Sequence, residues 1–254
     1  MEEGKVAGLK SLTILLGSIG VITIIGVTLY LLLAGPNYCP EIDNMNESNP
    51  ITEFSVQIVG DSLFGADADG CASVSTFMSL ILWLQVEDNS VPGATVIGDE
   101  SIPEQYVSGD WNWTVIDGGG NDIMPHCTEN DCDEVLDEII TDSGEGLIPD
   151  LVEKAQNDGS NVILIGYYSV PKGSEYEPVI LEVEIVNDRY NEFAKANEGV
   201  YFISLKDVMS PEETPELYSE DLVHPSDDGH FAIGEHIANF IIDEHKKETG
   251  MWFR

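Results

Sequence analysis

Asn161-Val162-Ile163-Leu164-Ile165-Gly166 is a run in which no polar residue interrupts the apolar stretch between its ends. A strand with one wet face alternates apolar and polar side chains, so an unbroken run implies a strand buried on both faces. Such strands belong to parallel sheets covered by helices above and below. The rest of the chain fits that constraint. Phe54 to Val59, Thr95-Val96-Ile97, Trp113 to Ile116 and Val200 to Ile203 read as further short strands. Between and after them, Ser73 to Gln85, Asp133 to Ile140, Ile148 to Asn157, Pro178 to Asn197 and Asp228 to Glu248 carry apolar residues at helical spacing. Strands alternating with helices predict an α/β domain with a mainly parallel sheet. No internal repeat and no second domain is visible.

In such a domain the chemistry gathers where strands end, because open parallel sheets hold their ligands at the C-terminal edge. Two strands end in polar, turn-forming sequences: Gly60-Asp61-Ser62 after Val59, and Asp117-Gly118-Gly119-Gly120-Asn121-Asp122 after Ile116. A third polar group, Asp221-Leu222-Val223-His224-Pro225, follows the last strand. Ser62 is a candidate nucleophile, and a hydroxyl at neutral pH needs a base to act as one. His224 supplies that base, with Asp221 three residues earlier to hold its second ring nitrogen. Asn121 offers side-chain N–H groups and the backbone N–H groups of Ser62 and Gly98 offer others, together an oxyanion hole. Gly98 is chosen because it ends the predicted strand Thr95–Ile97, with Gly93 as the alternative. Asp61 is read as a support for its turn. Asp67 and Asp69 lack the ligand spacing of a calcium loop, and no metal or cofactor is assigned.

In that order these motifs resemble the SGNH hydrolases, the GDSL esterases and lipases, whose name Gly60-Asp61-Ser62-Leu63 spells. The resemblance runs from about Phe54 to His245. It implies a three-layer α/β/α sandwich, flavodoxin-like, with a mainly parallel and roughly five-stranded sheet. It also implies an ester hydrolase in which Ser62, His224 and Asp221 form the catalytic triad, with Asn121 and Gly98 beside the Ser62 N–H as oxyanion donors. Acyl transfer or deacetylation on a surface polysaccharide would use the same residues. A catalytically silent binding module is the reading from another class. The chain has no Gly-x-Ser-x-Gly elbow of the ordinary α/β-hydrolases.

The N-terminal residues bear on location. Residues 12–34 are almost wholly apolar, long enough at 1.5 Å per residue to cross a bilayer as a helix. A cleaved signal peptide has a shorter apolar core of about 7–15 residues, so an uncleaved anchor is expected and secretion after cleavage is the alternative. Lys5 and Lys10 precede the span while Glu41 and Asp43 follow it, which leaves residues 1–11 in the cytoplasm and the remainder outside. Residues 35–52 then read as a stalk and 53–254 as the hydrolase domain. All four cysteines, Cys39, Cys71, Cys127 and Cys132, fall on the outer side, where disulfides persist. Cys127 with Cys132, and Cys39 with Cys71, is one of three pairings; a zinc site is a poor match for a lone C-x4-C.

Charge narrows the partners. Forty-seven Asp and Glu against 10 Lys and Arg give a formal net charge of −37, which excludes a nucleic-acid footprint. Acidic residues spread along the chain point to solubility in a salty medium. The resemblance implies an ester substrate, small or carried on a glycan or lipid, as one partner, and the apolar N-terminal span implies the membrane as the other.

Overall fold

The computed structural model describes residues 54–65, 72–127 and 132–250. The anchor expected at residues 12–34, the stalk, Cys39, Cys71, Asp67 and Asp69 lie outside them. Among the described residues no helix is long and apolar enough to cross a membrane.

Five parallel strands form one sheet: β1 (Val56–Val59), β2 (Val86–Asp88), β3 (Trp113–Ile116), β4 (Asn161–Gly166) and β5 (Val200–Ser204), in the order β2-β1-β3-β4-β5. The helices are α1 (Val74–Leu82), α2 (Ile102–Gln105), α3 (Gly120–Cys127), α4 (Asp133–Ile139), α5 (Leu147–Asn157), α6 (Ile180–Ala196) and α7 (Asp227–Thr249). Alternate strand residues feed two cores. Val56, Ile58, Val115, Ile163 and Ile165 pack with α1 and α7 on one side. Val59, Ile116, Val162 and Leu164 pack with α4, α5 and α6 on the other. Burial on both faces is what the apolar run of β4 demanded, and the result is the three-layer, mainly parallel architecture expected.

One strand is elsewhere than predicted. Thr95–Ile97 is not part of the sheet; the strand beside β1 is Val86–Asp88. Only Val86 of that edge strand is buried, while Glu87 and Asp88 face solvent, the charged edge that blunts unwanted pairing. Val96 is buried for another reason. Its N–H and that of Ile97 donate to the two oxygens of Asp122 at 2.8 and 2.9 Å, so a side chain replaces the ladder. Gly98 therefore does not end a strand. It turns the chain at φ +108, a left-handed conformation suited to glycine.

The order 2-1-3-4-5 reverses direction between β1 and β3. The crevice of such sheets opens at that switch point, outside the carboxyl ends of the strands. The turn carrying Ser62 follows β1, and the glycine run carrying Asn121 follows β3.

Candidate active site

Gly60 leaves β1 with its backbone gripped by Gln105: its N–H donates to Oε1 at 2.7 Å and its carbonyl accepts from Nε2 at 3.0 Å. The chain then turns. Asp61 donates its N–H to the buried Asp117 carboxyl at 2.9 Å, and its own Oδ1 accepts the Leu63 N–H at 2.9 Å. The second contact is a local Asx-type turn. It swings Ser62 outward, half-buried at the rim. The Ser62 N–H has no protein acceptor among the described residues.

His224 meets Ser62 from the opposite side of the crevice. Its Nε2 lies 2.9 Å from Ser62 Oγ, and its Nδ1 lies 2.6 Å from Asp221 Oδ2. With the proton on Nδ1, Nε2 is free to accept from the serine. Asp221 is held as tightly as it holds. Its Oδ1 accepts from the Ser219 hydroxyl at 2.6 Å and from the N–H groups of Val223 and His224 at 2.9 Å each. Partial burial pulls its carboxyl up, but the bonds from the His224 ring, Ser219 and these backbone groups outweigh that and hold it well below the usual range. The compact loop costs backbone strain: Leu222 adopts φ +62, worth roughly 1–2 kcal/mol for a residue with a side chain. Two tyrosines tie the loop down, Tyr168 donating to the Val223 carbonyl at 2.5 Å and Tyr218 to that of Ser169 at 2.7 Å. Immediately afterwards Ser226 caps α7 by accepting the Gly229 N–H at 3.2 Å. The array is shallow, with the His224 and Asp221 side chains 41% and 50% exposed.

Asn121 sits across from them on the first turn of α3. Its Nδ2 donates to the Ala94 carbonyl at 2.9 Å and to Asp61 Oδ2 at 3.3 Å, and its Oδ1 accepts from the Tyr176 hydroxyl at 3.2 Å. Ser62, His224 and Asn121 line one open crevice with Tyr167, Tyr168 and Tyr176. The structure thus brings Ser62, Asp221, His224 and Asn121 together. Neither Gly98 nor its alternative Gly93 lines that crevice.

Behind the rim lies a buried carboxyl pair. Asp61 Oδ2 also accepts the Tyr167 hydroxyl at 3.1 Å, and burial raises its carboxyl above the ordinary value. Asp117, fully buried with Oδ2 unpartnered, is pushed much further by burial and then by the charge on Asp61. Sequence reasoning placed Asp117 and Asp122 in a turn and left Tyr167, Tyr168 and Tyr176 unremarked. For Asp117 and Tyr167 the available signal was position, since each directly follows a buried strand at the edge where the other site residues gather.

Cys127 and Cys132 form a disulfide. Both thiols of this pair are consumed by the bond. Among the described residues no group of three or more His, Cys, Asp or Glu is arranged to hold a metal ion.

Residues 58–232 match the sequence model of the GDSL-like Lipase/Acylhydrolase family. No curated protein sequence matches the chain. Among solved structures, a carbohydrate acetylesterase from Sinorhizobium meliloti is similar at 14% identity and TM-score 0.53, covering 74% of this chain and 98% of its own. A mutant acetyl-xylooligosaccharide esterase from Geobacillus Stearmophilus shares 18% identity at TM-score 0.55, with 75% and 96% covered. The lipase/acylhydrolase from Enterococcus faecalis shares 18% at TM-score 0.54, with 74% and 95% covered. At these identities the likeness is one of fold.

Proposed function

This chain belongs to the GDSL-like Lipase/Acylhydrolase family and is a hydrolase acting on esters, and from that premise we propose that Ser62, His224 and Asp221 are its catalytic triad. The observation that carries the proposal is the unbroken chain of contacts from Ser62 Oγ through the imidazole to Asp221, 2.9 and 2.6 Å long. His224 Nε2 takes the hydroxyl proton as Ser62 Oγ attacks the ester carbonyl, then returns it to the departing alcohol. Water, activated by the same nitrogen, releases the acid from the acyl-enzyme. Asp221 stays ionised throughout, stabilising the imidazolium. The tetrahedral oxyanion is held by the Ser62 N–H and Asn121 Nδ2. For the third donor, Gly93 is favoured over Gly98, because it precedes the Ala94 carbonyl that Asn121 grips while Gly98 follows the segment pinned to Asp122.

Short acyl groups are the proposed substrates. The crevice beside Ser62 is lined by the side chains of Tyr167, Tyr168 and Tyr176, bulky walls that favour a small acyl group. Two of the similar structures are esterases of acetylated carbohydrates, which favours deacetylation of a glycan as the second, narrower reading. We further propose that the domain works outside the cytoplasmic membrane, tethered by residues 12–34. The Cys127–Cys132 disulfide supports an oxidising compartment.

Ser62→Ala tests the core of this. The full-length protein in detergent should hydrolyse nitrophenyl acetate faster than the butyrate or octanoate, and a fluorophosphonate should label Ser62. The variant should lose about 10⁴–10⁶-fold in kcat with unchanged melting temperature. Retained activity would mean a different nucleophile. A folded wild-type protein that neither turns over esters nor takes the label would be a binding module.

A further inference from the structure

We propose that Tyr176 is a positioning residue that acts through Asn121, its hydroxyl serving as the pivot on which the carboxamide turns when it hands an N–H to the reacting oxygen. The inference rests on the assignment of Asn121 as an oxyanion donor.

The two hydrogens of Asn121 Nδ2 are both engaged, one by the Ala94 carbonyl at 2.9 Å and one by Asp61 Oδ2 at 3.3 Å. An oxyanion can recruit an N–H only if one of these contacts is given up. The longer contact is the one to yield, and Asp61 loses little by it. The same Oδ2 keeps the Tyr167 hydroxyl at 3.1 Å, and Tyr167 in turn accepts the Gly120 N–H at 3.0 Å. The amide that makes this exchange must not swing freely, because a flipped carboxamide would present an oxygen to a developing negative charge. Tyr176 is the donor that holds Oδ1, at 3.2 Å. By polarising that oxygen it also strengthens the N–H groups on the other side of the amide.

Tyr176 is itself rigidly placed. It lies in a turn between β4 and α6 where its own N–H donates to the buried Ser174 hydroxyl at 3.2 Å, and its carbonyl accepts the Val179 N–H at 3.1 Å. Gly173 N–H donates to Glu177 at 2.8 Å across the same turn. Burial, reinforced by Asp61, raises the phenol above its ordinary value, so it remains a donor throughout the working pH range.

The test is a double-mutant cycle on the full-length protein, with active sites counted by fluorophosphonate titration. Tyr176→Phe keeps the ring in the crevice wall and removes the pivot. Its kcat on nitrophenyl acetate should fall about 3- to 10-fold, the scale of one lost hydrogen bond, with KM within about 2-fold of wild type. Affinity for a trifluoromethyl ketone, which forms an oxyanion on Ser62, should fall in proportion to kcat/KM. In an Asn121→Ala background the same substitution should do nothing further. Undiminished kcat in Tyr176→Phe, or a loss that persists without Asn121, overturns the inference while leaving the hydrolase reading standing. A wild-type protein without turnover and without labelling overturns the hydrolase reading itself. Should Tyr176→Phe melt lower than wild type, Tyr176→His restores a donor on a ring, and recovery of kcat without recovery of stability supports the pivot; recovery of neither counts against it.

Discussion

The first residue of the Gly60-Asp61-Ser62 turn explains itself by what a single methyl group would meet. A Cβ added at Gly60 would lie 1.6 Å from Asp117 Oδ1 and 2.7 Å from Phe64 Cδ2. Both neighbours are fully buried, so neither withdraws without cost. Asp117 is fully buried and its Oδ1 accepts the Asp61 N–H at 2.9 Å, while Gln105 clamps the Gly60 backbone from the other direction. Gly60→Ala therefore forces the Asp117 carboxyl to rotate. Overpacking of this kind costs about 1–3 kcal/mol, and leaving the Asp61 N–H without its acceptor adds about 1–3 kcal/mol. Against this stands the entropy an alanine removes from the unfolded chain, about 0.4–1 kcal/mol where the backbone is compatible. Gly60 is not among the residues with positive φ, so that credit applies. The steric penalty wins, for a net loss of about 1–5 kcal/mol. At about 2–4 °C per kcal/mol for a domain of this size, the melting temperature should drop by about 2–20 °C. Turnover should fall too, since the displaced turn carries Ser62. The decisive measurement is again a cycle. Asp117→Ala removes the obstruction, so Gly60→Ala should cost less in that background than in the wild type. Gly60→Ala melting with the wild type, or costs that simply add, would refute the close-approach argument.

Asp117 also makes a pH prediction. Its raised carboxyl binds a proton in the folded state that the unfolded state releases above a reference value of about 3.9. The protonated form is the one that fits, so its stabilisation is full below that reference and is lost as pH rises through the folded-state value. Asp117→Asn keeps an acceptor for the Asp61 N–H and should flatten the decline of the urea midpoint between pH 4.5 and 8; parallel slopes in the two proteins would contradict it. The net charge of −37 predicts that sodium chloride stabilises the domain. The Debye length shrinks from about 10 Å at 0.1 M to about 3 Å at 1 M, so the melting temperature should climb across that range, and a flat or falling curve would remove self-repulsion as a factor.

What the sequence made readable follows from where the information sits. Strand β4 announces itself because burial on both faces leaves five consecutive residues, Val162 to Gly166, almost no chemical freedom. Ser62, Asn121, Asp221 and His224 were readable because each occupies a short motif and the motifs follow the strand order of a parallel sheet. Edge strand β2 buries one residue in three, so its Val-Glu-Asp has no pattern to read, while buried Val96 imitates a strand that Asp122 has replaced. The contacts that orient Asn121 had no local signal at all. Asp61 and Asn121 are 60 residues apart, Asn121 and Tyr176 are 55 apart, and Asp61 and Tyr167 are 106 apart. Hydrophobic burial has a period that the backbone geometry writes into the chain; a hydrogen bond between loops has none. The sheet order brings these loops to one edge. Which polar atom then meets which depends on side-chain reach and on the need to satisfy every buried donor. That is why Asp61, readable as a turn former through its bond to Leu63, proves also to be the carboxylate on which Asn121 and Tyr167 converge.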